Sequence, residues 1–334
     1  MAYQVFMDGW DRGDDPGLMW VAYAGEAVII NPTEGRHDSP CLEREYGPAT
    51  DDWLRSTLFQ SASCVTIGFA IYPLGGEQSI EFRLAFNWNR QLAFKVTDYG
   101  AMQIMDGAGD AIWYSSTTLP INAWSYVEFA VLCAASGSYE LRINGKQIAY
   151  KADTDTQYIG GQTINSVFIG WAGAGDTGCR IDDLYICHGD ELKFFGDSRV
   201  DTLSLIANAE PQEWFPNPSS TPAEDVYTLL NQDEGTINSV SADAVSMFLP
   251  EALSSGATYI WGVQIVTRAG KTDAGDARIS LQLRNGDTLI DGEEIGLSTS
   301  KLTYWQCYAQ NPVTEANWTP VEVVNTDIGV KAIV

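Results

Sequence analysis

The chain has 334 residues, 45% of them hydrophobic and 11% aromatic, with 31 glycines and a net charge of −25 from 44 acidic and 19 basic residues. That length exceeds one small sandwich and suits two β domains. The acidity excludes nucleic acid as a partner, because binding it takes a basic footprint that displaces counterions. It also disfavours an anionic lipid surface, and no stretch reaches the roughly 18 apolar residues of a membrane span.

The N-terminus, MAYQVFMDGWDRGDD, has neither the basic segment nor the apolar core of a secretory leader, so synthesis in the cytoplasm is the expectation. Tyr3–Met7 reads as a strand, Leu18–Ile30 as a second apolar region and Ser63–Tyr72 as a buried strand with a nearly continuous apolar run. NPTEGRHDSP, between the second region and CLEREYG, reads as a loop. Ile80–Phe86 and Gln91–Thr97 are strands joined by NWNR; Ala101–Met105 and Ala111–Tyr114 are shorter strands around DGAGD. The clearest pattern is WSYVEFAVLCAASGSYELRINGKQI. Val127, Phe129, Val131 and Cys133 recur at every second position, as do Tyr139, Leu141 and Ile143. A period of two sends alternate side chains to opposite faces of a sheet. Asn144-Gly145 supplies the two residues that tolerate φ > 0 in a tight hairpin turn. Ser166–Trp171 and Arg180–Cys187 complete this block, with the glycine-rich AGAGDTG between them.

This order resembles the laminin-G-like, concanavalin-A-like jelly roll. The resemblance rests on MDGWD, the Trp124 entry with VEFAVL, the SYELRINGKQI hairpin, VFIGW and RIDDLYI. It covers 1–192 and implies an all-β sandwich, which hosts lectins, hydrolases and adhesive modules alike.

After Asp190 the composition changes. Pro211, Pro216, Pro218 and Pro222 mark a surface connection outside core sheet. Residues 193–334 then read as a second, smaller β-sandwich domain, with strands at Val245–Leu249, Thr258–Arg268, Asp276–Arg284, Leu302–Ala309 and Ile328–Val334. KTDAGD and NGDTLIDGEE read as turns. Thr319-Pro320-Val321-Glu322 has capping-box spacing with Pro at the first helical position. Thr221–Glu224 repeats it, although Val226–Leu230 suits strand equally. The segments FGDSRVDTL, VQIVTRAGKTDAGDARISLQLRNG and NPVTEANWTPVEVVNTDIGVK resemble the C-terminal half of a group of phage virion structural proteins. That resemblance implies a capsid decoration, tail or fibre component, located in the virion after assembly in the host cytoplasm. Its partners would be other virion proteins and copies of itself.

The search for chemistry points away from an enzyme. Glycoside hydrolysis takes two carboxylates across the scissile bond, and glucanases of this fold carry a Glu-x-Asp-x-x-Glu strand that is missing here. Glu77, Glu81 and Glu140 stand singly, as solvated face residues would. There is no GxSxG. His37 and His188 flank turns and read as surface histidines, and the six cysteines read mostly as reduced, buried small hydrophobes. Asp182 and Asp183 interrupt an apolar strand, and alternation sends one of them inward or to a rim. The jelly-roll resemblance implies a structural Ca2+ held by Asp183 with the chain at Asp8-Gly9; the alternative is a hydrogen-bonded or Arg-paired aspartate. Trp88, Tyr99, Trp113, Tyr114 and Trp171, beside turns and polar loops, are the candidates for stacking on sugar, such as a host surface glycan. Core or interface packing is the alternative for each. The other function class compatible with this fold is a polysaccharide-binding or polysaccharide-degrading host-recognition protein.

Overall fold

The computed structural model describes residues 4–10, 20–23, 28–44, 52–56, 59–76, 79–158, 161, 163–172, 178–217, 226–230, 236–253 and 256–333. The chain divides into two compact units, Met1–Val200 and Asp201–Val334.

The first unit contains β1 (Gln4–Asp8), β2 (Trp20–Tyr23), β3 (Val28–Asn31), β4 (Cys41–Arg44), β5 (Asp52–Ser56), β6 (Cys64–Pro73), β7 (Ser79–Phe86) and β8 (Asn89–Val96). They are followed by β9 (Ala101–Asp106), β10 (Ala111–Thr118), β11 (Ser125–Leu132), β12 (Gly137–Ile143), β13 (Lys146–Thr154), β14 (Ser166–Ala172) and β15 (Cys179–Gly189). An eight-stranded sheet runs β13-β12-β11-β6-β15-β4-β3, with β1 also paired to β15; a seven-stranded sheet runs β10-β9-β8-β7-β14-β5-β2. This is the all-β, concanavalin-A-like jelly roll. Alternation builds the core: Phe69 of β6 stacks on Phe82 of β7 at 3.8 Å, and Phe94 of β8 meets Phe129 of β11 at 6.1 Å. The nearly continuous apolar run of β6 is explained by its place between β11 and β15, buried on both faces. Asn144 (φ 49°) and Gly145 (φ 76°) make the expected left-handed turn.

Several expectations are corrected. Leu18–Ile30 splits into β2 and β3, which lie in different sheets, and β5 was not foreseen. Trp171 is 0% exposed, a core residue closed to any ligand. It sits on the inner face of β14 in line with Val167 and Ile169, which are equally buried. His188 is buried and stacks on Phe59 at 4.3 Å. Burial pushes its pKa down to about 4. His37 is exposed, as read. All six cysteines are free thiols and five are buried. Burial raises Cys41, Cys133, Cys179 and Cys187 to about 12, which makes them inert.

The second unit contains β16 (Leu205–Gln212), β17 (Phe215–Asn217), α1 (Val226–Leu230), β18 (Thr236–Asn238), β19 (Val245–Pro250) and β20 (Val263–Ala269). Beyond them come β21 (Arg278–Asn285), β22 (Thr288–Gly296), β23 (Leu302–Tyr308), α2 (Pro320–Val324) and β24 (Thr326–Ile333). A five-stranded sheet runs β16-β19-β24-β21-β22, and β17-β18 and β20-β23 form two-stranded ribbons. Ile265 of β20, Ile279, Leu281 and Leu283 of β21, Trp318 and Val323 form its core. The Thr319–Glu322 capping box forms: Thr319 N–H donates to Glu322 Oε2 at 2.8 Å and Glu322 N–H to Thr319 Oγ1 at 3.2 Å. Val226–Leu230 is helix, while Thr221–Glu224 lies outside the described residues. Pro211 and Pro216 lie in strands after all. Pro211 is in β16, at the edge of its sheet, and Pro216 is in the β17-β18 ribbon, positions where a missing N–H is tolerated. The presumed turn NGDTLIDGEE is the Asn285-Gly286 turn plus most of β22, whose Ile290 pairs with Leu283.

Candidate functional site

The paired aspartates of β15 sit in a bulge between Asp182 and Tyr185, where Asp183 takes φ 50°. The bulge breaks the alternation, so both carboxylates are buried instead of one. The loop at 32–39, which carried no signal beyond its turn residues, supplies their partner. Arg36 N–H donates to Asp182 Oδ2 at 2.8 Å and Ser39 Oγ donates to the same oxygen at 3.0 Å, while Asp183 N–H donates to Asp182 Oδ1 at 2.7 Å. The Arg36 guanidinium lies 3.3 Å from Asp183 Oδ2, and Val200 N–H donates to Asp183 Oδ1 at 2.8 Å. Arg36 also pairs with Asp197. Burial, then the neighbouring Asp183 charge, pushes Asp182 up to about 8. Burial raises Asp183 to about 6 against the pull of Val200 N–H and Arg36. Asp8 pairs with Leu184 across the sheet, but its Oδ1 accepts from Trp10 N–H and its Oδ2 from Trp20 Nε1–H, each at 2.9 Å. These donors do not fit a calcium site. Calcium takes six to eight oxygens, whereas here N–H groups and a guanidinium occupy the carboxylates. Among the described residues no group of three or more His, Cys, Asp or Glu is placed to hold a metal.

This cluster is a clamp. The segment 194–200 lies on the outer face of the eight-stranded sheet. Gly196 N–H donates to the buried Glu128 at 2.8 Å, Tyr185 Oη donates to the same oxygen at 2.6 Å, and Phe195 packs on Tyr185 at 4.7 Å. Gly68 of β6 leaves room for the Tyr185 ring, since a Cβ there would stand 2.0 Å from it.

The outer face of the seven-stranded sheet is built differently. On β7, Ile80, Phe82 and Leu84 enter the core, and alternation turns Glu81 and Arg83 outward. Register places Tyr114, Gln103, Lys95, Glu81, Gly170 and Trp53 in one row across β10, β9, β8, β7, β14 and β5. The next row carries Ala93, Arg83, Phe168 and Arg55. Six strands about 4.8 Å apart give a row about 24 Å long. Glu81 is buried here, which corrects its reading as a solvated residue: Oε1 accepts from Arg83 Nε and from Arg90 Nη1, both at 2.7 Å. The Arg83 guanidinium lies over the Trp53 indole, 3.5 Å from the ring centroid, and Trp53 covers Gly170, where a Cβ would stand 2.2 Å from the ring. Trp88, 57% exposed, meets Phe168 at 5.5 Å with the Arg55 guanidinium 4.8 Å over its ring.

Of the aromatic candidates, Trp88 and Tyr114 belong to this face. Trp113 alternates to the other side of β10, half-buried opposite Ile104. Tyr99 is exposed in the β8–β9 connection, at the opposite end of β8 from Trp88. Glu140 pairs with Arg142 at 2.6 Å on the other sheet, and Glu77 lies outside the described residues. Trp53, Arg55, Arg83, Arg90 and Phe168 escaped the sequence reading. The i, i+2 pair Glu81–Arg83 within an apolar alternation was the one available signal.

The sequence matches no protein family and no curated protein. Among solved structures the chain is similar to a sialidase, at 11% identity and TM-score 0.43 over 68% of this chain and 22% of that one. It thus spans less than a quarter of the sialidase. It is also similar to an endo-β-1,4-glucuronan lyase from the fungus Trichoderma reesei (10% identity, TM-score 0.43, 56% of this chain and 95% of that one). A third likeness is to the carbohydrate recognition domain of Emp47p (10% identity, TM-score 0.38, 56% and 95%).

Proposed function

We propose that the protein binds carbohydrate through the outer face of the seven-stranded sheet, and that it does so as a non-catalytic structural component of a phage virion. The observation that carries the binding reading is the half-open row of hydrogen-bonding side chains, Tyr114, Gln103, Lys95 and Glu81, with the exposed Trp88 ring beside it. Aromatic rings and a few fixed polar groups are what a sugar-binding surface takes. Binding without catalysis is favoured because Glu81, the one carboxylate on this face among the described residues, is held between two guanidiniums. Hydrolysis takes a pair. The virion context rests on the resemblance of 194–334, with the second unit as the attachment or oligomerising part and other virion proteins and further copies as partners.

A glycan array with the full chain tests the binding. Trp88→Ala and Tyr114→Ala, both at exposed side chains, should each weaken it about tenfold, or about 1.4 kcal/mol, with folding unchanged. Full binding by the double variant refutes the site. Release of reducing ends or of unsaturated product from a bound polysaccharide refutes the absence of catalysis. Absence of the protein from purified particles, measured by mass spectrometry, refutes the virion context.

A further inference from the structure

We infer that the glycan taken by this face is an acidic polysaccharide, an inference that rests on the carbohydrate-binding reading above. Across the whole chain acids outnumber bases 44 to 19. On the outer face of the seven-stranded sheet the balance is reversed among the described residues. Arg83, Arg90 and Lys95 stand against the single carboxylate of Glu81. Glu81 does not satisfy them all. It takes Arg83 through Nε and Arg90 through Nη1. Among the described residues the terminal nitrogens of Arg83 make no hydrogen bond, and Lys95, directly across the strands from Glu81, makes no ion pair. A chain so rich in carboxylates could have neutralised Lys95 and the outer nitrogens of Arg83, and among the described residues it has not done so.

The cations are also held in place. Arg83 is fixed by Glu81 on one side and the Trp53 indole beneath it, and the Arg55 guanidinium rests over Trp88. A planar guanidinium held this way presents paired N–H donors that match a carboxylate, and little side-chain entropy is left to lose on binding. Arg83 of β7 and Lys95 of β8 are diagonal neighbours across the strand pair, a spacing of about 7 Å. A chain crossing these two strands meets an open cation on each, which selects a polymer with repeated negative charge over a single acidic sugar.

The test is a binding panel with the full-length protein: polyuronate, sialylated and sulfated glycans, each beside its neutral counterpart (carboxyl-reduced, asialo or desulfated). At least one acidic glycan should bind about tenfold or more tighter than its counterpart, the worth of one charge-assisted pair. Arg83→Ala with Lys95→Ala should abolish that preference without lowering the melting temperature by more than a few degrees. Lys146→Ala with Lys151→Ala, exposed on β13 of the other sheet, should leave the preference intact. Equal binding of acidic and neutral members overturns the inference and leaves the carbohydrate-binding reading standing. A preference lost equally in the Lys146/Lys151 variant also overturns it, because general charge would then account for it. No binding to any member overturns both.

Discussion

Asp182 and His188 lie on the same strand and oppose each other in their response to pH. Asp182 ionises near its ordinary value of 3.8 in the unfolded chain and at about 8 in the fold. The folded state therefore holds the proton across that window, and stability is present below it and lost as pH rises from about 4 to about 8. Asp183, at about 6, adds to the same slope. His188 falls from 6.5 to about 4, so its contribution is present above 6.5 and lost as pH falls through 4. Melting curves of the first unit from pH 4 to 9 should show Asp182→Asn flattening the alkaline limb and His188→Phe flattening the acid limb. An unchanged alkaline slope in Asp182→Asn would contradict this assignment. Gly170 offers a second residue-scale test. Its replacement by Ala pushes a Cβ into the Trp53 ring, which is half-buried on the outer face, and so unseats Arg83. Affinity for the glycan should fall about tenfold, while the circular dichroism spectrum stays that of the parent.

The segment 194–200 and strand β24 carry the element-scale predictions. A fragment ending at 192 loses Gly196 N–H from Glu128 and Val200 N–H from Asp183, leaving two buried carboxylates short of donors at about 1–3 kcal/mol each. It also loses the Phe195 contact with Tyr185. Denaturant unfolding should place fragment 1–192 several kcal/mol below fragment 1–200. Equal stability would show that the clamp contributes nothing. An apolar strand such as β24 needs a pairing partner on each edge. It is the middle strand of its sheet, paired with β19 on one side and β21 on the other. Deleting 323–334 should therefore unfold the second unit and abolish its near-ultraviolet signal, and loss of assembly in that variant would follow from unfolding. One of the two edges of this sheet is β22, half exposed and carrying Asp291, Glu293 and Glu294, which discourages edge-to-edge pairing with another chain.

For the whole molecule the governing quantity is the charge of −25. Copies repel at long range, and salt screens that repulsion beyond a Debye length of about 10 Å at 0.1 M. If contacts between copies are chiefly apolar and hydrogen-bonded, sedimentation of the full chain should show association rising with salt. Association that falls with salt would mean that ion pairs between copies hold the assembly.

Local physics was legible in the residues. The apolar run of β6, the period of two in β11 and β12, the Asn144-Gly145 turn and the Thr319–Glu322 cap each depend on neighbours a few positions apart, and each formed as read. The jelly roll followed from the order of such elements. What was not legible was which outward side chains meet. Trp53, Arg83 and Phe168 come together because β14 lies between β7 and β5, a strand order that alternation does not encode. The same limit hid Arg36 as partner to Asp182, 146 residues away. Trp171 and Trp88 look alike as tryptophans near strand ends, yet one is closed in the core and the other open on a turn. Their fates diverge because side-chain direction on a strand is set by its pairing register, and register is settled only when the sheets close around a common core.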